Sequence, residues 1–125
     1  MNKIESIKTI YYDVLPAYNI DTTLTYSSTQ VLKVGSLVKI SIRKKAFPGC
    51  VLKVYKSKPV IDFKVKDIEE SYKYFSLDKK NIEFLRWVSE YNLISLGLAL
   101  KLMISNTNFL KPYMSYKYLV HRNLS

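Results

Sequence analysis

Cysteine, histidine and glycine are scarce in this 125-residue chain: one cysteine, one histidine and three glycines. A lone Cys50 rules out an internal disulfide and any multi-cysteine zinc site. With His121 as the only histidine, no run of residues has the spacing of a metal centre. Gly35, Gly49 and Gly97 stand far apart, and no G-x-x-x-x-G-K-[ST] loop exists to cradle nucleotide phosphates. Paired carboxylates occur only at Glu69-Glu70, which reads as a solvated charge pair ahead of a helix. Cys50 reads as a small buried residue and His121 as an idle, exposed one. These absences argue against an autonomous enzyme. Long apolar runs are missing too. The most apolar stretch, Leu93 to Ile104, is shorter than the roughly 20 residues of a membrane helix and contains Lys101. The first residues, MNKIESIKTI, lack the apolar region of a secretory signal. The expectation is a soluble, cytoplasmic protein with no membrane partner.

What is abundant is positive charge. The net charge is +10, and it is concentrated. Residues 33–66 carry ten basic groups against one acid, Asp62, whereas residues 67–92 carry four against six. A dense cationic stretch attracts polyanions, of which nucleic acid is the commonest. A lysine-rich solvated surface is the plainer alternative, and charge alone leaves both open. An apolar fraction of 48% allows a chain of this size to build its own core.

Hydrophobic patterning divides the chain in two. The first part reads as short strands at Ile7–Leu15, Thr22–Tyr26, Leu37–Ile42, Val51–Tyr55 and Val60–Val65, separated by turn-forming clusters. Among these clusters are Ser27-Ser28-Thr29-Gln30 and a hairpin loop at residues 43–49. Five short, closely spaced strands suggest a small barrel or strongly curved sheet. The second part reads as helix. Between Asp78 and Asn92 a 100° period gathers Phe84, Leu85, Trp87, Val88 and Tyr91 on one face, with Ser76 as a plausible N-cap. A second helix is expected over Ser95–Ile104, capped by Ser95, where Gly97 implies close packing. The fold class is thus α+β, about five strands followed by two packed helices. The domain reading is 1–75 for the β-barrel nucleic-acid-binding part, 76–104 for the helical part, and 105–125 for a tail or linker.

Specific residues sharpen this reading. Leu15-Pro16, Leu24-Thr25-Tyr26, and Val34-Gly35 followed by Leu37-Val38-Lys39-Ile40 occur in order, and the hairpin returns as Gly49-Cys50-Val51. Phe63-Lys64, Phe84-Leu85-Arg86-Trp87-Val88-Ser89-Glu90-Tyr91, and Leu96-Gly97 with Leu100-Lys101-Leu102 complete the series. This ordered set, covering about residues 9 to 104, resembles the N-terminal domain of the PriA family of replication-restart helicases. The resemblance implies an OB-like domain that captures the 3′ end of the nascent leading strand at a stalled fork and supports primosome assembly. It implies branched or single-stranded DNA with a free 3′ end as partner, together with other primosome proteins and single-strand-binding protein. ATP and zinc are implied only for further domains of the family, so no cofactor is expected in this chain.

Carried over position by position, Lys64 matches the family's pocket lysine. Thr25 stands where the family usually has an aspartate, Leu24 where an aromatic is common, and Arg43 where a glycine is. These departures bear on 3′-end specificity more than on DNA binding. The residues themselves add Lys44, Lys45 and Lys53 as phosphate contacts, with Phe47 and Tyr55 either stacking on bases or packing into the core. A small basic OB- or SH3-like protein that binds RNA or a ribosomal surface is the alternative reading.

Overall fold

The computed structural model describes residues 8–61 and 63–107. The tail from residue 108, with His121, lies outside the described residues, as does Asp62. Six strands form one sheet: β1 (Ile10–Pro16), β2 (Leu24–Ser28), β3 (Ser36–Ile42), β4 (Lys45–Val54), β5 (Lys66–Asp67) and β6 (Glu70–Ser76). Their order is β5-β2-β1-β4-β3-β6. Every pairing is antiparallel except the short parallel one between β2 and β5. Two helices follow, α1 (Lys79–Asn92) and α2 (Leu96–Thr107).

The central strands are buried on both sides, because alternate residues of a strand point to opposite faces. Tyr12, Val14, Val38, Ile40 and Val51 join Tyr26 and Ile68 in one cluster. Leu15, Leu37 and Cys50 join a second cluster with Leu77, Leu85, Ala99, Leu100 and Ile104. The first cluster contains no helical residue, so the sheet must close it by curling on itself. The result is a half-barrel with an inner core and an outer core, the latter roofed by α1 and α2. Two-sided burial accounts for the adjacent apolar pairs Val14-Leu15, Leu37-Val38 and Cys50-Val51, whose members enter opposite clusters.

The edges of this sheet depart from the expected strands. Among the described residues of 60–65 there is no strand, and the two-residue β5 follows instead at Lys66–Asp67. Strand β6 takes up residues 70–76, for which the sequence suggested no element. Polar Glu70, Ser71 and Ser76 are tolerated because β6 is an edge strand paired to β3 on one side alone. Glu69-Glu70 therefore sits at a strand boundary, with Glu69 N donating to the Lys39 carbonyl. Ser27 and Ser28 belong to β2 rather than to a turn. The β3–β4 loop shrinks from seven residues to two, since Ile42 already pairs with Lys45.

Helix α1 corrects two further expectations. Its N-cap is Asp78, not Ser76: the Asp78 carboxylate accepts from Asn81 N at 2.8 Å, and the Asn81 side chain accepts in return from Asp78 N. Leu85 and Ser89 are the buried positions, with Ile82 and Val88 packed beside them. Phe84, Trp87 and Tyr91 are turned out to solvent, stacked on one another at centroid spacings of 5.9 and 5.0 Å. The helical period held, but the face packed on the sheet is that of Ile82, Leu85, Val88 and Ser89, which leaves the aromatic stripe outside. Ser95 does cap α2, accepting from Leu98 N at 3.1 Å. The helix runs three residues past the expected Ile104. Among the described residues no helix is long and apolar enough to cross a membrane.

Gly97 locks α2 to the segment after β1. Its N–H donates to the Ile20 carbonyl at 3.0 Å, and a Cβ placed there would overlap the carbonyl oxygens of Tyr18, Ile20 and Pro16. Helix propensity favours alanine over glycine by about 1 kcal/mol. Overpacking against backbone opposes it with about 1–3 kcal/mol. Gly97→Ala is therefore expected to lower stability in urea unfolding despite the better helix former; an unchanged or raised midpoint would show that α2 can slide away from residues 16–20.

Candidate nucleic-acid interface

At the open rim of the curl, on the β2 side, lies a cavity of about 460 Å³ lined by Thr23, Leu24, Thr25, Tyr26, Ser41, Ile42, Arg43, Phe63, Lys64 and Lys66. Three chain segments build it. Strand β2 supplies one wall, the end of β3 with the hairpin turn supplies the second, and residues 63–66 leading into β5 supply the third. Leu24 and Tyr26 share the inner face of β2, and Ile42 continues the same apolar floor from β3. Tyr26 is anchored by its hydroxyl donating to the Ser41 carbonyl at 2.9 Å. Burial, and then the charge of Glu69, holds that hydroxyl's pKa above its usual value, so it stays a donor through the physiological range.

The rim is cationic. Arg43, Lys64 and Lys66 are exposed, and among the described residues no ion pair engages them. No carboxylate is found among the described lining residues. Arg43 and Lys44 are the two residues of the β3–β4 turn and both have positive φ, 50° and 71°. Positive φ at both central positions defines a type I′ turn, in which Asn-Gly is the favoured pair. Cationic side chains occupy these positions at a cost of about 1 kcal/mol or more each. The sharp turn sets Arg43 at the cavity and Lys44, with Lys45 next to it, at the exposed tip.

The nine residues singled out from the sequence divide into groups. Leu24, Thr25, Arg43 and Lys64 line one cavity although they span forty positions of the chain. Lys44 and Lys45 sit beside it on the hairpin. Phe47 is half-buried in the inner core, its ring tilted against Tyr18 at 4.9 Å, so it packs with its neighbours. Lys53 and Tyr55 lie on the outer face. A bulge explains this: Asp13 pairs with Lys53 while Val14 pairs with Val51, leaving Leu52 as an extra residue. A regular strand would put Val51, Lys53 and Tyr55 on one side, and the bulge breaks that alternation. Val51 points into the inner core, and Lys53 and Tyr55 point outward with Asp13.

Sequence reasoning missed Asp13, which organises that outer patch. Its carboxylate accepts from Thr25 Oγ1 at 3.0 Å and from the Tyr55 hydroxyl at 3.0 Å to each oxygen. Lys53 Nζ lies 4.5 Å from the Tyr55 ring centroid, within cation–π range. Desolvation, followed by the hydrogen bond and charge of Asp13, raises the Tyr55 pKa. Thr25 thus has its side-chain proton committed to a carboxylate on the neighbouring strand. Nothing in a single sequence shows that residues 13, 25, 53 and 55 form one rung. Tyr26, Phe63 and Lys66 were better signposted, by alternation from Leu24 and by proximity to Lys64.

Residues 13–105 match the family model of the PriA 3′ DNA-binding domain (3′BD). The chain belongs to that family. No curated protein matches the chain. The PriA 3′BD family binds DNA 3′ ends, and a domain of this kind is a binding module, not a catalyst. The match covers β1 from Asp13 onward and extends through almost all of α2, so it spans the cavity and the helices that cover the outer core. Cys50 is inert in this setting: burial pushes its thiol up to about 12, well above the pH at which a nucleophile could form.

Lys44→Gly offers a direct check on the turn. Relief of strain, worth about 1–3 kcal/mol, should outweigh the entropy that glycine adds to the unfolded chain, about 0.4–1 kcal/mol. The variant is expected to be more stable in urea by about 1 kcal/mol yet to bind DNA less tightly. A destabilised variant would mean that the turn carries no strain.

Proposed function

We propose that this domain holds the terminal nucleotide of a DNA 3′ end in the cavity between β2, the β3–β4 turn and residues 63–66. The supporting observation is that Leu24, Thr25, Arg43 and Lys64, far apart in the chain, line one cavity. Its volume falls in the range of small-ligand sites, about 300–1,000 Å³. The apolar floor suits a base and deoxyribose, the exposed Phe63 can stack, and the cationic rim suits phosphates. In this reading Lys44 and Lys45 track the backbone upstream of the end. Lys53 with the Tyr55 ring offers a separate contact on the outer face, away from the cavity. No cofactor is needed for any of these contacts.

The physiological setting we infer is the cytoplasmic replication fork. The domain would recognise the nascent leading strand's 3′ end at a stalled fork as part of a replication-restart helicase. It would position the motor for primosome assembly alongside primosome proteins and single-strand-binding protein. ATP and zinc would act in other parts of such a helicase.

Binding to linear single-stranded DNA and to a covalently closed circle of the same sequence tests the reading. Linear DNA is expected to bind more tightly at every salt concentration, and both affinities should fall steeply with salt. Lys64→Ala should reduce the linear preference by about tenfold, the scale of one charged hydrogen bond. Lys44→Ala and Lys45→Ala should weaken both DNAs alike and lower the salt slope by about one each. Equal binding of circle and line would refute end recognition, and tighter binding of a structured RNA at fixed salt would favour the RNA-binding alternative.

A further inference from the structure

We propose that the outer face of the sheet, at its β1–β4 end, is a second DNA site that grips the backbone of duplex DNA while the cavity stays open to a strand end. None of its cations lines the cavity, so it stands apart from the strand-end reading. Helices α1 and α2 cover the outer face where Leu15, Leu37 and Cys50 lie. Beyond them the face continues through Asp13, Lys53 and Tyr55, and five cations gather around it. Lys53, Lys56 and Lys58 are exposed on the end of β4 and the segment after it. Lys8, also exposed, precedes β1, whose Tyr11 carbonyl accepts from Tyr55 N at 2.9 Å. Arg86 of α1 lines a hollow of about 330 Å³ together with Lys53 and Asp13. Among the described residues no ion pair engages any of the five. The two acids of that hollow, Asp13 and Asp21, already accept hydrogen bonds, Asp13 from Thr25 and Tyr55 and Asp21 from Leu96 N. Their charges temper the five cations without cancelling them.

The chemistry of this patch favours a duplex over a single strand. Single-strand sites combine cations with aromatic faces that are free to stack on bases. The aromatic at the centre of the patch, Tyr55, is not free. Its hydroxyl is tied to both oxygens of Asp13, and Lys53 Nζ sits 4.5 Å from its ring centroid. What remains is positive charge, which meets phosphates and carries no base readout. Lys53 and Lys58 are no more than about 18 Å apart along the chain. Over that length B-DNA carries about ten phosphate charges, roughly twice the number on either strand alone. A lysine cluster gains most from the denser charge. The rung through Asp13 joins β1, β2 and β4, so the patch is displayed on rigid sheet. The cavity's apolar floor lies on the inner side of β2, whereas Thr25 faces Asp13 on the outer side, so neither ligand blocks the other. One domain thus has room for a strand end and a duplex together.

The test uses the full chain and two labelled probes: a covalently closed duplex dumbbell, which has no strand ends, and a short linear oligothymidylate with a free 3′ end. Fluorescence anisotropy is expected to show the dumbbell binding with a steep salt dependence. Saturating unlabelled oligothymidylate should leave that binding within about twofold, as for independent sites. Lys53→Ala, Lys56→Ala and Lys58→Ala together should weaken the dumbbell by about tenfold or more and lower its salt slope by about three. The same triple change should shift oligothymidylate binding by less than about threefold, because remote charges are screened. Lys79→Ala, Lys80→Ala and Lys101→Ala remove equal charge from exposed helix positions and should cost the dumbbell less than about threefold. Lys56→Glu with Lys58→Glu leaves the Asp13 rung intact and should weaken the dumbbell as strongly as the outer-face triple, which separates lost binding from lost folding. A helix triple as weak as the outer-face triple would trace duplex binding to net charge and overturn the inference. Displacement of the dumbbell by oligothymidylate would mean one shared site and overturn it too, as would a dumbbell that does not bind at low salt. Equal binding of linear and circular single strands would sink end recognition alone; the duplex site stands if the outer-face variants still lose the dumbbell.

Discussion

Two-sided burial of the central strands is the constraint on which this domain depends. Adjacent residues such as Val14 and Leu15, Leu37 and Val38, and Cys50 and Val51 are each driven to opposite faces, and both faces are dry. A sheet loaded in this way cannot lie flat with one side in water. It curls over its inner cluster, while the outer side recruits α1 and α2. Burying an aliphatic side chain of this kind stabilises the fold by about 1.5–3 kcal/mol, so a shift of register by one residue in β3 or β4 would exchange the contents of the two cores.

The curl also creates the cavity at its rim. At its open rim the inner apolar surface runs out through Leu24, Tyr26 and Ile42, and polar or cationic residues take over at Arg43, Lys64 and Lys66. A floor continuous with the core and a rim in solvent give the site its mixed character. The tight turn contributes by bringing Arg43 to the edge of that floor. The bulge at Leu52 contributes by turning Lys53 and Tyr55 to the other face, away from the cavity. Charge that is contiguous in sequence is thus divided in space between a rim, a hairpin tip and an outer patch centred on Asp13.

Matching positions in the sequence pointed to Leu24, Thr25, Arg43 and Lys64, and those four line one cavity. The charge pattern, by contrast, treated every lysine of the basic stretch as equivalent. Only the fold separates Lys64 and Lys66 at the cavity from Lys53 on the outer face.

The sequence by itself determined the α+β class, the order of strands before helices, the central strands, the capping of α2 by Ser95, the close packing of Gly97 and the cationic stretch. All of these rest on local periodicity, turn chemistry or charge, which neighbouring residues carry. Tertiary structure decided what depends on a partner strand or surface. It replaced the strand expected at residues 60–65 by β5 and β6, because an edge strand's pairing is set by its neighbour rather than by its own apolar content. It chose the Ile82, Leu85 and Val88 face of α1 over the aromatic one, because which side of a helix is covered is set by its docking on the outer cluster and not by period alone. It tied Thr25 to Asp13 and Tyr55, because a rung across three strands joins residues that chain distance keeps apart.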